Sequence, residues 1–496
     1  MHILPFRVSV ALTLICGICQ AGLTLPGEEA GSVPETGAME MEGAERQEAG
    51  ESEAPSEIEF RWTPMLMPAY APFGESQRGM PSVVNPAMPS LSDRRFRFGT
   101  LFDFGVGFEV GEADDFDREI EDLLDRFELL EEQAEDFAET APGAAEIEGF
   151  IADLDDFVDF ANELVRDFTD KAYAKLTASA SAPLVPIAVR SDFLRGTLSL
   201  NASGIIEARA AVESVGDAFS ADLGEINPNE VDRFEIIDGV PTIVMQNDDE
   251  FPVEPTDDAG VAVQGGMIGK IGAGYSRPVW ENYRGRLHAG TNLNFYRTTL
   301  VRGGVLFNDD DLEDTARDEF EDNQKTTNGF GVDLGAAWFG RWYMLGAVAR
   351  NINEPSFDYP DTSDSAFFQA NPQARRNGET WTMDRQFTVQ GAVHTPQRRW
   401  LLTGAIDLNS ATDTTGDDYQ WASVMGAYEP GRVWIPSPRA GLRTNLTGEK
   451  LTYVTGGLTF FRALHIDVAS TLERVRIDGT NYPRGLQANI ALGRRF

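Results

Sequence analysis

The sequence predicts an all-β fold, a transmembrane antiparallel β-barrel of about 14 strands with an N-terminal plug-like segment and an inserted acidic helical hairpin. Three observations predict it. The first is the last strand. Leu486, Ala488, Ile490, Leu492 and Phe496 share one parity, while Gln487, Asn489, Ala491, Gly493 and Arg495 share the other. A period of two with one apolar face suits a strand set between lipid and a polar lumen. The second is the N-terminus, where Arg7 precedes an apolar run from Val8 to Ile18 and small residues surround Ala21. That run is shorter than the roughly 20 residues of a membrane helix, so residues 1–21 read as a secretory signal peptide. The third is the rhythm of the connections, short and long by turns, as periplasmic turns and external loops require.

Taken in order, residues 22–60 are rich in Glu, Ala, Gly and Pro and predict an acidic disordered linker. Residues 61–94 interleave Pro64, Pro68, Pro72, Pro81, Pro86 and Pro89 with Trp62, Met65, Tyr70, Phe73 and Met88. Prolines at that density forbid a regular helix or a central strand. The segment is nonetheless too apolar to stay in water, and a barrel lumen is the surface it would fill. The barrel then occupies 95–496, with strands predicted at 95–110, 174–189, 196–212, 263–278, 286–301, 328–339, 342–351, 385–395, 400–409, 418–429, 433–445, 450–461, 464–477 and 484–496. A hairpin at 232–246 could change the count by two. An insertion at 112–171 in the first external loop spaces Phe116, Ile120, Leu123, Phe127 and Leu130, then Phe150, Leu154, Phe157, Ala161 and Leu164, at helical intervals. Pro142 and Gly143 separate the two amphipathic stretches.

Charge is unevenly placed. The chain carries −39 overall, of which −10 lies in 28–59 and −20 in 112–170. Such acidity excludes nucleic acid as a partner, because phosphate binding needs a basic footprint. An acidic outer surface instead suits divalent cations bridging lipopolysaccharide phosphates. The only cysteines, Cys16 and Cys19, fall inside the signal's apolar core, so no redox pair is expected in the mature chain. Gly265 to Gly274 lacks the Ser or Thr after Lys270 that a phosphate loop needs, and Asp309, Asp310 and Asp311 lack the Gly and Glu spacing of an EF-hand. No catalytic residue, cofactor or metal site is predicted.

Parity does single out polar residues for the lumen: Asp407, Arg439, Arg443, Asn445, His465 and Asp467. A cation on the lipid face near the midplane would cost about 2–4 kcal/mol, so inward orientation is favoured. At the C-terminus, Leu492 and Phe496 are expected to signal barrel assembly.

The segment Asn85-Pro86-Ala87 resembles the Asn-Pro-Ala of hydrophobic-compound transporters of the long-chain fatty-acid porin type. The ordered set is more similar still to barrel proteins called conjugal transfer protein TraF. It comprises the Asn-Pro-Ala, one strand, the acidic two-helix insertion, and the stretches at 345–357, 387–409 and 437–470. The porin resemblance implies a hatch role for Asn85, Pro86 and Ala87. The expected function is a non-enzymatic, plugged outer-membrane barrel of a Gram-negative-type bacterium that passes small hydrophobic molecules. The alternative is a TraF-like structural or interaction protein of a conjugation or envelope system. Expected partners are outer-membrane lipids and lipopolysaccharide, the barrel-assembly machinery, and either hydrophobic small molecules or an envelope protein.

Overall fold

The computed structural model describes residues 85–493, apart from 92–94, 100, 113–115, 140–142, 170, 221–225, 228, 238–239, 248, 253, 257–258, 308–318, 320–322, 398, 431 and 478–479. The predicted signal peptide, linker, most of the 61–94 segment, Asp309 to Asp311 and Phe496 therefore lie outside the described residues.

Fourteen strands close into an antiparallel barrel. They are β1 (Phe102–Val110), β2 (Tyr173–Ser181), β3 (Gly196–Ser214), β4 (Ala259–Asn282), β5 (Gly285–Leu306), β6 (Gln324–Gly340) and β7 (Tyr343–Arg350), followed by β8 (Gln386–His394), β9 (Trp400–Asp407), β10 (Trp421–Tyr428), β11 (Ser437–Asn445), β12 (Thr452–Phe460), β13 (Leu464–Thr471) and β14 (Gly485–Leu492). Each pairs with its neighbour in sequence, and β14 pairs with β1 from Phe102↔Leu492 to Glu109↔Gly485. Pairing of the last strand with the first closes the sheet on itself, the condition for crossing a membrane with strands.

Exposure alternates along the wall as the two-residue period demands. In β13, Ile466 and Val468 are exposed while His465, Asp467 and Ala469 are buried. In β14, Leu486 and Ile490 face out while Asn489 and Ala491 face in. The outward side chains of β5 between Arg286 and Arg297 are Leu287, Ala289, Thr291, Leu293 and Phe295. That span matches the ~9–11 residues a tilted strand needs to cross a bilayer. Since β4 has 24 residues and β5 has 22, both project past the hydrocarbon on the long-loop side. The closed barrel with its apolar outer band is an outer-membrane protein.

Several predicted strands are shorter or broken. The stretch 174–189 splits into β2 and Ile187–Ser191, and 95–110 splits into Phe96–Arg97 and β1. Pro183 and Pro186 cannot donate to a ladder, which explains the first break. The stretch 464–477 ends its wall pairing at Thr471, and Arg474–Ile477 instead forms a hairpin with Thr480–Pro483. The hairpin foreseen at 232–246 exists as Val231–Ile237 and Val240–Met245, but it pairs with Glu250–Pro252 in a separate sheet and leaves the wall at fourteen strands.

The acidic insertion forms α1 (Phe116–Glu139) and α2 (Ala144–Phe168). Their apolar stripes meet each other and that small sheet. Leu123, Leu130, Phe150, Leu154, Phe157 and Leu164 share one core with Ile226, Val231, Ile243 and Met245. The insertion is thus not a helical pair packed on itself; the second long loop completes its core. Buried Asn162 fastens the two, accepting from Phe219 N at 2.8 Å and donating to Phe219 O at 3.0 Å.

Candidate functional site in the barrel lumen

The lumen is filled in layers, each built from inward positions of the wall. On the short-turn side lies the Asn85-Pro86-Ala87 turn. Asn85 Nδ2 donates to Ala336 O at 3.2 Å, and Asn85 Oδ1 accepts from Ala87 N at 3.0 Å, which ties the turn internally. Ser90 Oγ and His288 Nδ1 are 2.7 Å apart. Ala87 and Met88 pack with Ala337, Phe339, Met344 and Ala392. Three inward glycines leave room for the turn. A methyl on Gly290 would overlap the Pro86 carbonyl and lie 2.8 Å from Ala87 N; one on Gly335 would meet the Asn85 side chain and Pro86 Cδ at 2.7 Å. A methyl on Gly346 would meet the Gln390 side chain of the wall first, at 2.7 Å, and lie 3.1 Å from Asn85 Nδ2.

At the same end of the wall, Arg439 holds Asp467 through both Nε and a terminal nitrogen, and donates to Thr459 Oγ1 at 2.6 Å. Thr459 Oγ1 is 2.9 Å from His465 Nδ1. Arg439, His465 and Asp467 are all buried. No Ser or Cys nucleophile enters this set, and its geometry is that of an ion pair with hydrogen-bonded neighbours.

The long-loop side is closed by elements that the sequence reading placed outside. Two long loops fold into the barrel. From the loop after β7, Phe357, Tyr359, Phe367, Phe368 and Trp381 are at most 4% exposed. Phe357 stacks on Trp381 and meets Tyr296 of β5 edge-on. From the loop after β9, Thr414 and Thr415 are 0% exposed. Trp381 Nε1 donates to Thr412 O at 2.9 Å and Tyr359 Oη to Thr414 O at 2.6 Å, so the two loops form one plug.

That second loop is latched to the wall by charge. Lys175 of β2 bridges Asp413 and Asp417, the latter at 2.9 Å. Arg209 of β3 reaches Asp417 at 2.9 Å, and Thr414 Oγ1 donates to Glu207 at 3.0 Å. Asp413 Oδ1 also accepts from the backbone N–H of Thr415 and Asp417, which fixes the tight turn at Gly416. A buried cation with two carboxylates around it is stable only as a set. Sequence parity puts Lys175 inward, yet nothing in the chain's order ties it to residues 238 and 242 positions away. At the mouth, Arg484, 1% exposed, donates to Val110 O, Glu112 and Glu449, joining the first loop to the last two.

Between the loop plug and the β10–β12 wall remains a cavity of about 140 Å³. Trp381, Trp421 and Tyr453 give it aromatic surface, Arg350 and Arg443 give it donors, and carboxylates such as Glu109, Asp384 and Glu449 line it as well. The Arg443 guanidinium lies 4.1 Å from the centre of the Trp421 ring and 2.8 Å from Gln487 Oε1. Asn445 caps the adjoining turn, accepting from Gln420 N at 2.7 Å, while Asp407 accepts from Thr388 at 2.6 Å and from Gln386 at 3.1 Å. The six polar residues named from parity thus fall into two groups. Arg439, His465 and Asp467 lie toward the short turns; Asp407, Arg443 and Asn445 lie by the cavity. They do not converge on one centre.

A family model described as F plasmid transfer operon, TraF, protein matches residues 82–407, from just before the Asn85 turn to the end of β9. The chain belongs to this TraF family. No curated protein matches it. Among solved structures this TraF-family chain is similar to the Ralstonia pickettii toluene transporter TbuX, at 11% identity and a TM-score of 0.35, covering 88% of this chain and 98% of that one. It is also similar to the P. putida toluene transporter TodX, at 12% identity and a TM-score of 0.32, covering 83% and 92%. A third is the Salmonella typhi outer membrane phospholipase (OMPLA) dimer with bound calcium, at 9% identity and a TM-score of 0.25, covering 81% and 95%.

Proposed function

We propose that this barrel is a gated passage for small molecules with a hydrophobic body, held shut in this state by the Asn85 turn on one side and the two inward loops on the other. The observation that carries the reading is the three-glycine cradle. Gly290, Gly335 and Gly346 give up wall side chains to admit a turn that reaches them through few polar bonds. Such a turn can leave without breaking the wall. The cavity offers a solute aromatic surface at Trp381, Trp421 and Tyr453, with arginine donors and carboxylates beside it. The test is single-channel recording in planar bilayers with the full chain and with residues 61–91 deleted. Larger or more frequent openings in the shortened form, together with uptake of a labelled hydrocarbon, support a passage. Equal conductance refutes the plug.

A second reading, a structural or interaction protein of an envelope or conjugation system, draws on family membership and on the outer α1–α2 domain. Deleting 114–170 tests it, since a loss of partner co-purification with conductance unchanged would favour it. In either case Leu492 and Phe496 serve as the signal read by the barrel-assembly machinery, and the acidic outer surface meets lipopolysaccharide through bridging cations.

A further inference from the structure

The two ends of the barrel differ in chemistry, and the short-turn end has a repeated pattern that neither plug uses. Every one of the six short turns carries an exposed aromatic residue next to an arginine. Phe193 stands with Arg195, Tyr283 with Arg284, Trp342 with Arg341, Trp400 with Arg399, Trp434 with Arg432, and Phe461 with Arg462. The aromatic side chains are 94, 89, 55, 60, 66 and 66% exposed in that order, so none is there to pack a core. Arg195, Arg284, Arg341, Arg399 and Arg432 are exposed as well, and among the described residues only Arg462 of this set pairs with a carboxylate, Glu429 at 3.6 Å. The same aromatic tier extends along the outer wall, with Trp338 5.5 Å from Trp280 and Tyr428 4.7 Å from the rim residue Trp400. That tier continues into the lipid-facing band.

We propose that the periplasmic rim is a binding ring for anionic phospholipid headgroups of the inner leaflet. The occupant follows from position and charge. The ring is continuous with the face already in lipid, so headgroups are its immediate neighbours. Trp and Tyr favour the headgroup level because one edge is apolar and the other polar. A guanidinium forks onto phosphate oxygens in a bidentate way that a neutral headgroup contact cannot match. Lipopolysaccharide is excluded as the occupant by the short turns, which set this rim on the periplasmic side; the other end, with α1 and α2, is acidic. The ring would fix the barrel's height and tilt and gather phosphatidylglycerol or cardiolipin around it.

The experiment reconstitutes the full-length protein in vesicles of phosphatidylethanolamine and phosphatidylglycerol, extracts it mildly, and quantifies retained lipid by mass spectrometry. The wild type should retain phosphatidylglycerol enriched about fivefold over the bulk ratio, the factor expected from a single surface arginine. The variant Arg195→Gln, Arg284→Gln, Arg341→Gln, Arg399→Gln, Arg432→Gln should lose that enrichment while keeping the heat-modifiable migration of a folded barrel. The milder pair Arg284→Gln, Arg341→Gln should lose part of it. No enrichment in the wild type, or equal enrichment in the folded five-residue variant, overturns the proposal. So does a wild type without lipid preference whose rim turns crosslink to a periplasmic protein.

Discussion

The glycine cradle gives the most direct test of the plug. Consider Gly290→Ala together with Gly335→Ala, two residues paired across β5 and β6. Neither glycine has a positive φ, so alanine is tolerated by the wall and slightly favoured over glycine through the unfolded chain. The damage falls on the turn, because both methyls meet atoms of Asn85, Pro86 or Ala87. Opposing release are the contacts of Asn85 with Ala336 and of Ser90 with His288, about 1 kcal/mol each. Burial of Ala87 and Met88 adds about 2–4 kcal/mol. The turn is therefore held by about 4–6 kcal/mol, and each methyl opposes it with about 1–3 kcal/mol of overpacking. One substitution should leave the turn mostly seated, with rare openings. Two should bring seated and released forms toward balance, although adjacent sites need not add. Planar-bilayer recording then shows a rising open probability from wild type to single to double variant. A cysteine at Leu91, in a chain whose only other cysteines are Cys16 and Cys19, should react faster with an impermeant maleimide in the double variant. If the double variant folds, conducts as the wild type does and labels no faster, the turn is not a removable plug.

Four further outcomes are expected. Lys175→Met takes the cation from Asp413 while Asp417 keeps Arg209 at 2.9 Å and Arg376 at 3.4 Å, a loss of about 3 kcal/mol; hydrogen exchange across 410–418 should rise while the wall stays protected. Asn162→Ala removes both bonds to Phe219 and should weaken the outer domain by about 1–3 kcal/mol, seen as faster proteolysis within 116–168 on a barrel that still migrates as folded. Ile490→Arg, on the lipid face, should cost about 2–4 kcal/mol of barrel stability in lipid, measured by urea titration, whereas Leu408→Arg beyond the end of β9 should cost less. Phe496→Ala should lower the fraction of assembled, heat-modifiable barrel in membranes, and unchanged assembly would remove Phe496 from the signal.

How far the sequence alone reaches can be judged residue by residue. The wall is local chemistry. A period of two places Leu486, Ile490, Ile466 and Val468 outward and Asn489, His465 and Asp467 inward, and no distant contact is needed to decide it. Breaks in the wall are less legible, since 182–186 is as apolar as a strand and only its prolines object. The α1–α2 stripe also follows from spacing, but the surface that covers it does not. Ile243 and Met245 belong to another loop, and which apolar face meets which is a matter of tertiary geometry.

The lumen shows the limit most clearly. Parity tells that Lys175, Arg209 and Arg439 point inward, because lipid penalises them outward. It cannot tell what they meet there, because partners in a barrel interior come from opposite walls and from loops of any length. Asp467 was within reach of Arg439 through strands two apart, while Asp413 and Asp417 reach Lys175 only because a loop that could have stood in water turns inside. The sequence by itself determined a lipid-facing β-barrel wall with a strongly acidic helical insertion after its first strand. Only the tertiary structure decided that two long loops fill the lumen and that three glycines hold the Asn85 turn, since both depend on which side chains a closed wall brings face to face.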